Sequence, residues 1–259
     1  TRRRALAALR RYIRDNLGLM RYQDAAVRGR PFLAHSALSA AINAGLLHPR
    51  EAAAAVASSR AGSVSDREGF VRQVLGWREL MRVVYLRRGG RLEGLFSSFP
   101  RPGPAWYGGT TGLAPLDDVV RGALRTAYAH HINRLMVALN AAVLSGMPAG
   151  AAYRWFMELF AIDAYDWVMV GNLGVMGYQR EAGLSAAHKP YVSGSAYLRR
   201  MTSGFGRGWE REWDALFYAH VAAGGAPYFR RVLEGRRYRG DAAGWRRLAA
   251  EVRERLSRG

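Results

Sequence analysis

Residues 116–145 read LDDVVRGALRTAYAHHINRLMVALNAAVLS. Pro115 stands at the mouth of this stretch, and Asp117 and Asp118 fall where a helix presents free amides and the positive end of its dipole. The pattern predicts a single long helix from Leu116 to about Ser145. Within it sits a tandem pair, His130 and His131. Neighbours on a helix point about 100° apart, so one imidazole can face a cavity while the other packs or meets solvent. A histidine near neutral pKa can protonate a leaving oxygen or hold a proton for a transferred electron. A lone helical histidine more often serves the structure, and the pair only narrows that reading.

The same helical period runs outward in both directions. Residues 3–17 place Leu6, Leu9, Ile13 and Leu17 on one face with arginines opposite. Phe70, Val74, Trp77, Met81 and Val84 recur at threes and fours over 68–87. Asp241 is placed to cap a last amphipathic helix, with Trp245, Leu248, Val252 and Leu256 facing inward. Loops are expected at 18–34, 88–115 and 171–195, the second marked by Arg88-Gly89-Gly90 and by Pro100, Pro102 and Pro104. No strand alternation exceeds a few residues and no GxGxxG follows a strand, which argues against a Rossmann sheet. Neither a composition shift nor an internal repeat divides the chain. The expected fold class is all-α, with residues 1–259 as one helical domain.

Composition bounds the function. The chain of 259 residues carries 39 basic against 20 acidic side chains, a net charge of +19. A field of that sign favours polyanions, because each phosphate paired with a cation releases condensed counterions. Lys189 is the sole lysine. Cysteine is absent, which excludes disulfides and cysteine-ligated zinc or iron–sulfur centres. No apolar run reaches the roughly 18 residues of a membrane span, and Arg10, Arg11 and Arg14 interrupt any signal-peptide core. A soluble cytoplasmic protein that favours nucleic acid over membrane is the expectation.

Two further stretches carry chemistry. In PFLAHSALSAAINAGLL at 31–47, Ser36 and Ser39 lie where a loop becomes an amphipathic helix. Hydroxyls and free amides there form either a phosphate site or an ordinary N-cap. In GWRELMR at 76–82, Trp77 offers a flat face and Arg78 and Arg82 offer charge. Helical tryptophans usually serve the core.

Order and spacing add more than any block alone. YQDAAVRGRPFLAHSALSAAINAGLL, RQVLGWRELMRVVY, YAHHINRLMVALNAAVLSG, WFMELFAIDAYDWVMVGNLGVMGY and KPYVSGSAYLRRM follow one another across roughly residues 15–220. Together they closely resemble the helical, flavin-binding half of photolyases and cryptochromes. The nearest group is the bacterial iron–sulfur (6-4) photolyases and their cryptochrome-like relatives.

That resemblance implies FAD folded inside the helical domain. Its phosphates would be held by Tyr22 and by the turn His35-Ser36-Ala37-Leu38-Ser39, with Asp163 beneath flavin and ribose. Gln73, Trp77 and Arg78 match the block lining the cavity beside adenine and lesion. His131 matches the proton donor of (6-4) repair and His130 its support, while Lys189 and Tyr191 would border the lesion pocket. Trp155, with Trp106 or Tyr107, would relay electrons inward; core packing explains Trp155 equally well. The implied activity is light-driven repair of UV-damaged DNA, the (6-4) lesion favoured. The rival readings are a cryptochrome-like blue-light sensor with a protein partner, or a degenerate domain without FAD.

The sequence also departs from that pattern. The family's N-terminal α/β domain has no counterpart here, so no antenna chromophore is expected: the sequence is either a fragment of a longer protein or a standalone flavin domain, with the α/β domain missing or separate. Where the family sets cluster cysteines, this chain has Pro115, Phe205, Gly208 and Arg211. No iron–sulfur cluster is expected, with Phe205, Trp209 and Trp213 filling its volume. Met169 stands six residues after Asp163, where the family usually sets a polar residue near flavin N5.

Overall fold

The structure, a computed structural model, describes residues 1–96, 101–161, 171–184 and 190–258. Among these the chain is helical almost throughout. α1 (Arg2–Asp15) leads through a 3-10 turn (Leu17–Tyr22) to short α2 (Ser39–Asn43), α3 (Pro49–Ala57) and α4 (Val64–Val71). A capping box starts α4: Asp66 N–H donates to Ser63 Oγ at 3.1 Å, and Ser63 N–H returns to the Asp66 carboxylate at 2.7 Å. α4 runs through a π-turn (Arg72–Trp77) into α5 (Arg78–Phe96). Next come α6 (Ala105–Gly108), α7 (Ala114–Thr126), a π-turn (Ile132–Leu139) continued as α8 (Asn140–Ser145), and α9 (Ala149–Leu159). A third π-turn (Leu173–Gly177) precedes α10 (Gln179–Ala182), α11 (Ser195–Met201), α12 (Trp209–Ala222), α13 (Arg236–Arg239) and α14 (Ala242–Arg258). Two residues of extended chain, Ala26–Val27, pair in parallel with Thr202–Ser203.

The long helix expected over 116–145 is broken. Ala127 adopts a left-handed φ of 52°, and its carbonyl turns aside to accept the N–H of Ala161 at 2.8 Å. Thr126 directs its hydroxyl to the Gly122 carbonyl at 2.8 Å, a local bond that competes with helix continuation. Tyr128 to His130 therefore lie outside any helix, and the tandem histidines sit at the break.

The loop expected over 88–115 is largely helical instead. α5 continues through Arg88-Gly89-Gly90 because Leu92 and Phe96 are buried and hold it down. The ring of Tyr85 occupies the space that a Cβ at Gly89 would need. Residues 171–195 likewise contain helical turns rather than plain loop. At the N-terminus the buried stripe is Ala5, Leu9 and Tyr12, with Leu6 and Ile13 at its edge and Leu17 buried in the following turn. The last helix matches its reading: Asp241 accepts the Gly244 N–H at 2.9 Å, and Trp245, Val252 and Leu256 are buried while Leu248 packs at the margin.

Two hydrophobic clusters result. A smaller one joins Leu9, Tyr12, Leu38, Ile42, Val56, Phe70 and Val74 from the first four helices and the turns beside them. A larger one gathers around Trp106, Leu116, Leu139, Trp155, Trp213 and Leu216. No helix among the described residues is long and apolar enough to cross a membrane.

Candidate functional site

A cavity of about 510 Å³ opens at the seam of the two clusters. Tyr12, Leu38, Ile42 and Phe70 of the smaller cluster line one side, and Met81, Ile132, Met136 and Met176 of the larger line another. Its size falls within the range of ligand pockets, roughly 300–1,000 Å³. All three π-turns border it, contributing Gln73 and Trp77, then Arg134 and Leu135, then Met176. The extra residue in such a turn shifts the side chains that follow, and π-turns recur at functional sites.

The turn at 32–38 reaches the cavity under strain. Leu33 and Ala37 hold positive φ angles of 44° and 51°, a conformation that costs a non-glycine residue on the order of 1–3 kcal/mol. Between them His35 and Ser36 line the cavity, followed by Leu38 and Ser39. Ser36 Oγ accepts the Leu38 N–H at a long 3.4 Å. The helix beginning at Ser39 has only 5 residues.

Three imidazoles meet here. His35 and His130 stack with centroids 4.2 Å apart and planes 3° from parallel, and His131 meets His35 edge-on at 5.1 Å. Burial pushes His130 down to about 2, with His35 and His131 adding to the effect. Burial, then the charge of His131, pushes His35 down to about 4. Both rings are neutral at pH 7. His35 Nδ1 lies 3.2 Å from the Phe32 carbonyl and Nε2 lies 3.1 Å from the Gln23 carbonyl, and a neutral ring donates to only one of them. The Asn133 N–H lies 3.5 Å from His130 Nδ1, the outer limit of such a bond, and favours the tautomer with its proton on Nε2. That Nε2 is buried without a hydrogen-bond partner among the described residues. His131 differs in having a carboxylate partner: its Nε2 lies 3.6 Å from Asp24. The neighbouring His131 holds the Asp24 carboxyl below the usual range.

Most of the residues singled out in the sequence converge on this cavity: His35, Ser36, Leu38, Ser39, Gln73, Trp77, Arg78, His130, His131 and Tyr191 all line it. Tyr22 does not; it is exposed, with the Arg21 guanidinium 5.0 Å from its ring centre. Trp106, Tyr107 and Trp155 also lie off the lining. Trp155 is fully buried and meets Trp106 edge-on at 5.4 Å, donating its indole N–H to the Trp106 carbonyl at 2.8 Å. Tyr107 donates its hydroxyl to Glu158 at 2.6 Å. Asp163, Met169 and Lys189 lie outside the described residues. Among the described residues no group of three or more acidic or histidine side chains is arranged to hold a metal.

Sequence reasoning missed Asp24 and Gln23, which follow Tyr22 directly, and the cavity methionines, which at helical spacing look like core. Pro115 lies in the first turn of α7, and Phe205 borders a second cavity of about 150 Å³ with Arg28, Asp117, Asp118 and Arg121. Trp209 and Trp213, expected beside Phe205, are buried in the larger cluster and meet edge-on at 5.9 Å.

No family model matches the chain. It is 38% identical over 210 residues to a (6-4) photolyase of Agrobacterium fabrum, an alignment covering 78% of this chain and 41% of that protein. Two uncharacterised proteins of Acanthamoeba polyphaga mimivirus are 41% and 33% identical over 70 and 109 residues, covering 27% and 40% of this chain and 55% and 84% of theirs. Among solved structures, a bacterial class III photolyase from Agrobacterium tumefaciens superposes with a TM-score of 0.58 at 22% identity, over 76% of this chain and 44% of that one. The chain thus spans less than half the length of the photolyases it matches.

Proposed function

The chain belongs to the photolyase/cryptochrome superfamily, and from that premise we propose that its cavity binds FAD and that the protein repairs UV-damaged DNA under light, the (6-4) lesion favoured. The observation that carries this reading is the convergence of separate sequence blocks on one cavity of about 510 Å³. The groups present fit a flavin dinucleotide. Trp77, Met81, Met136 and Met176 supply flat and apolar wall, while Arg78, Ser36 and Ser39 supply a cation and hydroxyls for phosphate. His130 Nε2, buried without a partner among the described residues, supplies a donor for a ligand acceptor.

FAD, when bound and reduced, supplies the light-driven electron. The side chains do the remaining work. His131 is the proton donor, because it alone of the three rings lies within ion-pair distance of a carboxylate, that of Asp24. His130 stays neutral and holds the turn of His35 in place through their stack. Tyr191 borders the lesion, and the family resemblance assigns Lys189 to the lesion pocket and Asp163 and Met169 to the cofactor site, all three outside the described residues. Trp106 and Trp155, in edge contact, and Tyr107 beside them form the electron relay. A lesion dinucleotide enters the cavity flipped out, since damage already weakens its stacking.

Illumination of the reduced protein with duplexes carrying either a (6-4) or a cyclobutane lesion tests the reading. Loss of the (6-4) lesion supports it. Unchanged lesion with normal flavin photoreduction makes the protein a light sensor instead.

A further inference from the structure

Among the described residues none after Met201 lines the cavity, yet this part of the chain carries a dense run of positive charge. Between 227 and 247, PYFRRVLEGRRYRGDAAGWRR sets seven arginines against two acids, Glu234 and Asp241. Asp241 is committed to capping α14. Ion pairs elsewhere join Arg2 with Glu51, Arg72 with Glu68, Arg82 with Glu79, Arg154 with Glu158 and Arg199 with Glu210. Here only Arg237 has an ion-pair partner among the described residues, the buried Asp214 at 2.7 Å. Arg230, Arg231, Arg236, Arg239, Arg246 and Arg247 are exposed, and none forms an ion pair among the described residues.

Packing leaves these charges on the solvent side of three neighbouring elements. Three short elements, the 3-10 helix Pro227–Glu234, α13 and the start of α14, are anchored on two adjacent residues of α12. Phe229 meets Phe217 at 5.5 Å, while Tyr238 and Trp245 meet Tyr218 at 5.3 and 5.1 Å. Val232 and Leu233 also turn inward. With the apolar side of each element consumed, the arginines between them are left to solvent. Arg237 pins the centre, its guanidinium 5.5 Å over the Trp245 ring, whose indole N–H donates to the Arg237 carbonyl at 2.9 Å.

We propose that this arginine face binds the phosphodiester backbone of nucleic acid, at a place separate from the cavity and without need of a lesion. Guanidinium forks match phosphate oxygens in pairs, and like charges left unpaired at this density gain most from a polyanion. An anionic membrane fits less well, since surface-bound helices also insert an apolar face. In this segment only Tyr228 is a large exposed hydrophobic. That one ring instead suits stacking on a base at the edge of the backbone contact.

Flavin plays no part in this binding, so the test is run in the dark. Binding of a short undamaged DNA duplex to the full chain is followed by fluorescence anisotropy across a salt series. The quadruple variant R230Q/R231Q/R236Q/R239Q is expected to bind at least tenfold more weakly at low salt. Its log–log salt slope should fall by about 0.9 for each phosphate that an arginine no longer neutralises. Its melting temperature is unchanged, because none of the four makes an ion pair among the described residues, and the matching quadruple lysine variant keeps the salt slope. Equal affinity and slope for the glutamine variant and the parent overturn the proposal. So does binding to vesicles of anionic lipid in preference to duplex.

Discussion

His35 and His130 lie face to face, their ring centroids 4.2 Å apart and their planes within 3°. Two imidazolium rings could not hold that contact, and burial keeps both neutral. The groups facing His35 are His130 in the stack, His131 at its edge, and Asp24 beyond, with Arg134 adding positive charge near His130.

Acid should therefore loosen the cavity before it unfolds the rest. Both folded pKa values, about 4 for His35 and about 2 for His130, lie below the ordinary 6.5, so the unfolded chain binds more protons between those limits. The stability they confer is full above pH 6.5 and is lost as pH falls toward 4 and then 2. Each ring contributes a slope of about 1.4 kcal/mol per pH unit in its window. Urea midpoints measured from pH 7 down to pH 5 should fall, and His35→Gln should flatten the dependence. An unchanged slope in that variant contradicts the titration.

Asp117 organises the chain entering α7. Its buried carboxylate accepts from Thr111 N–H at 2.7 Å, Thr111 Oγ1 at 2.6 Å and Gly112 N–H at 3.1 Å. Asp117→Ala leaves those donors unsatisfied and should cost on the order of 3 kcal/mol in urea denaturation. A loss under about 1 kcal/mol would show that water replaces the carboxylate.

Asn140 holds the segment that carries Tyr191. Its Nδ2 donates to Ser193 Oγ at 3.0 Å, its Oδ1 accepts the Ser193 N–H at 3.2 Å, and Trp213 donates to the Ser193 carbonyl at 2.9 Å. Asn140→Leu should speed amide exchange at Ser193 and Ser195 at least tenfold. It should also weaken whatever the cavity holds. Unaltered exchange there would assign the positioning to Asp214, which accepts the Ser195 N–H at 2.7 Å.

His131→Ala should reduce (6-4) repair by about 10²–10⁴, the usual contribution of a general acid, while bound flavin is retained. Lesion turnover under constant illumination is the readout. Repair at the parental rate removes His131 from proton transfer.

Much of this was legible in the sequence, and the failures have physical causes. Amphipathic period places α14 and the 68–87 helix correctly, because burial of one face decides both. The break at Ala127 was not legible, since no glycine or proline marks it and its cause is a carbonyl turned to Ala161, far along the chain. The glycines at 89 and 90 misled in the other direction, because Leu92 and Phe96 outweigh them. In the site, His131 and Trp77 were visible as residue types with chemistry. Asp24 was not, for a lone exposed carboxylate carries no signal until His131 is beside it. Tyr22 was inferred from block position alone and faces solvent.

Whether the cavity is a flavin site is tested most directly by the absorption spectrum of the purified protein. After incubation with FAD and exhaustive dialysis, the expected result is retained blue absorbance with resolved flavin fine structure, near one FAD per chain. A colourless protein that retains no FAD would contradict it.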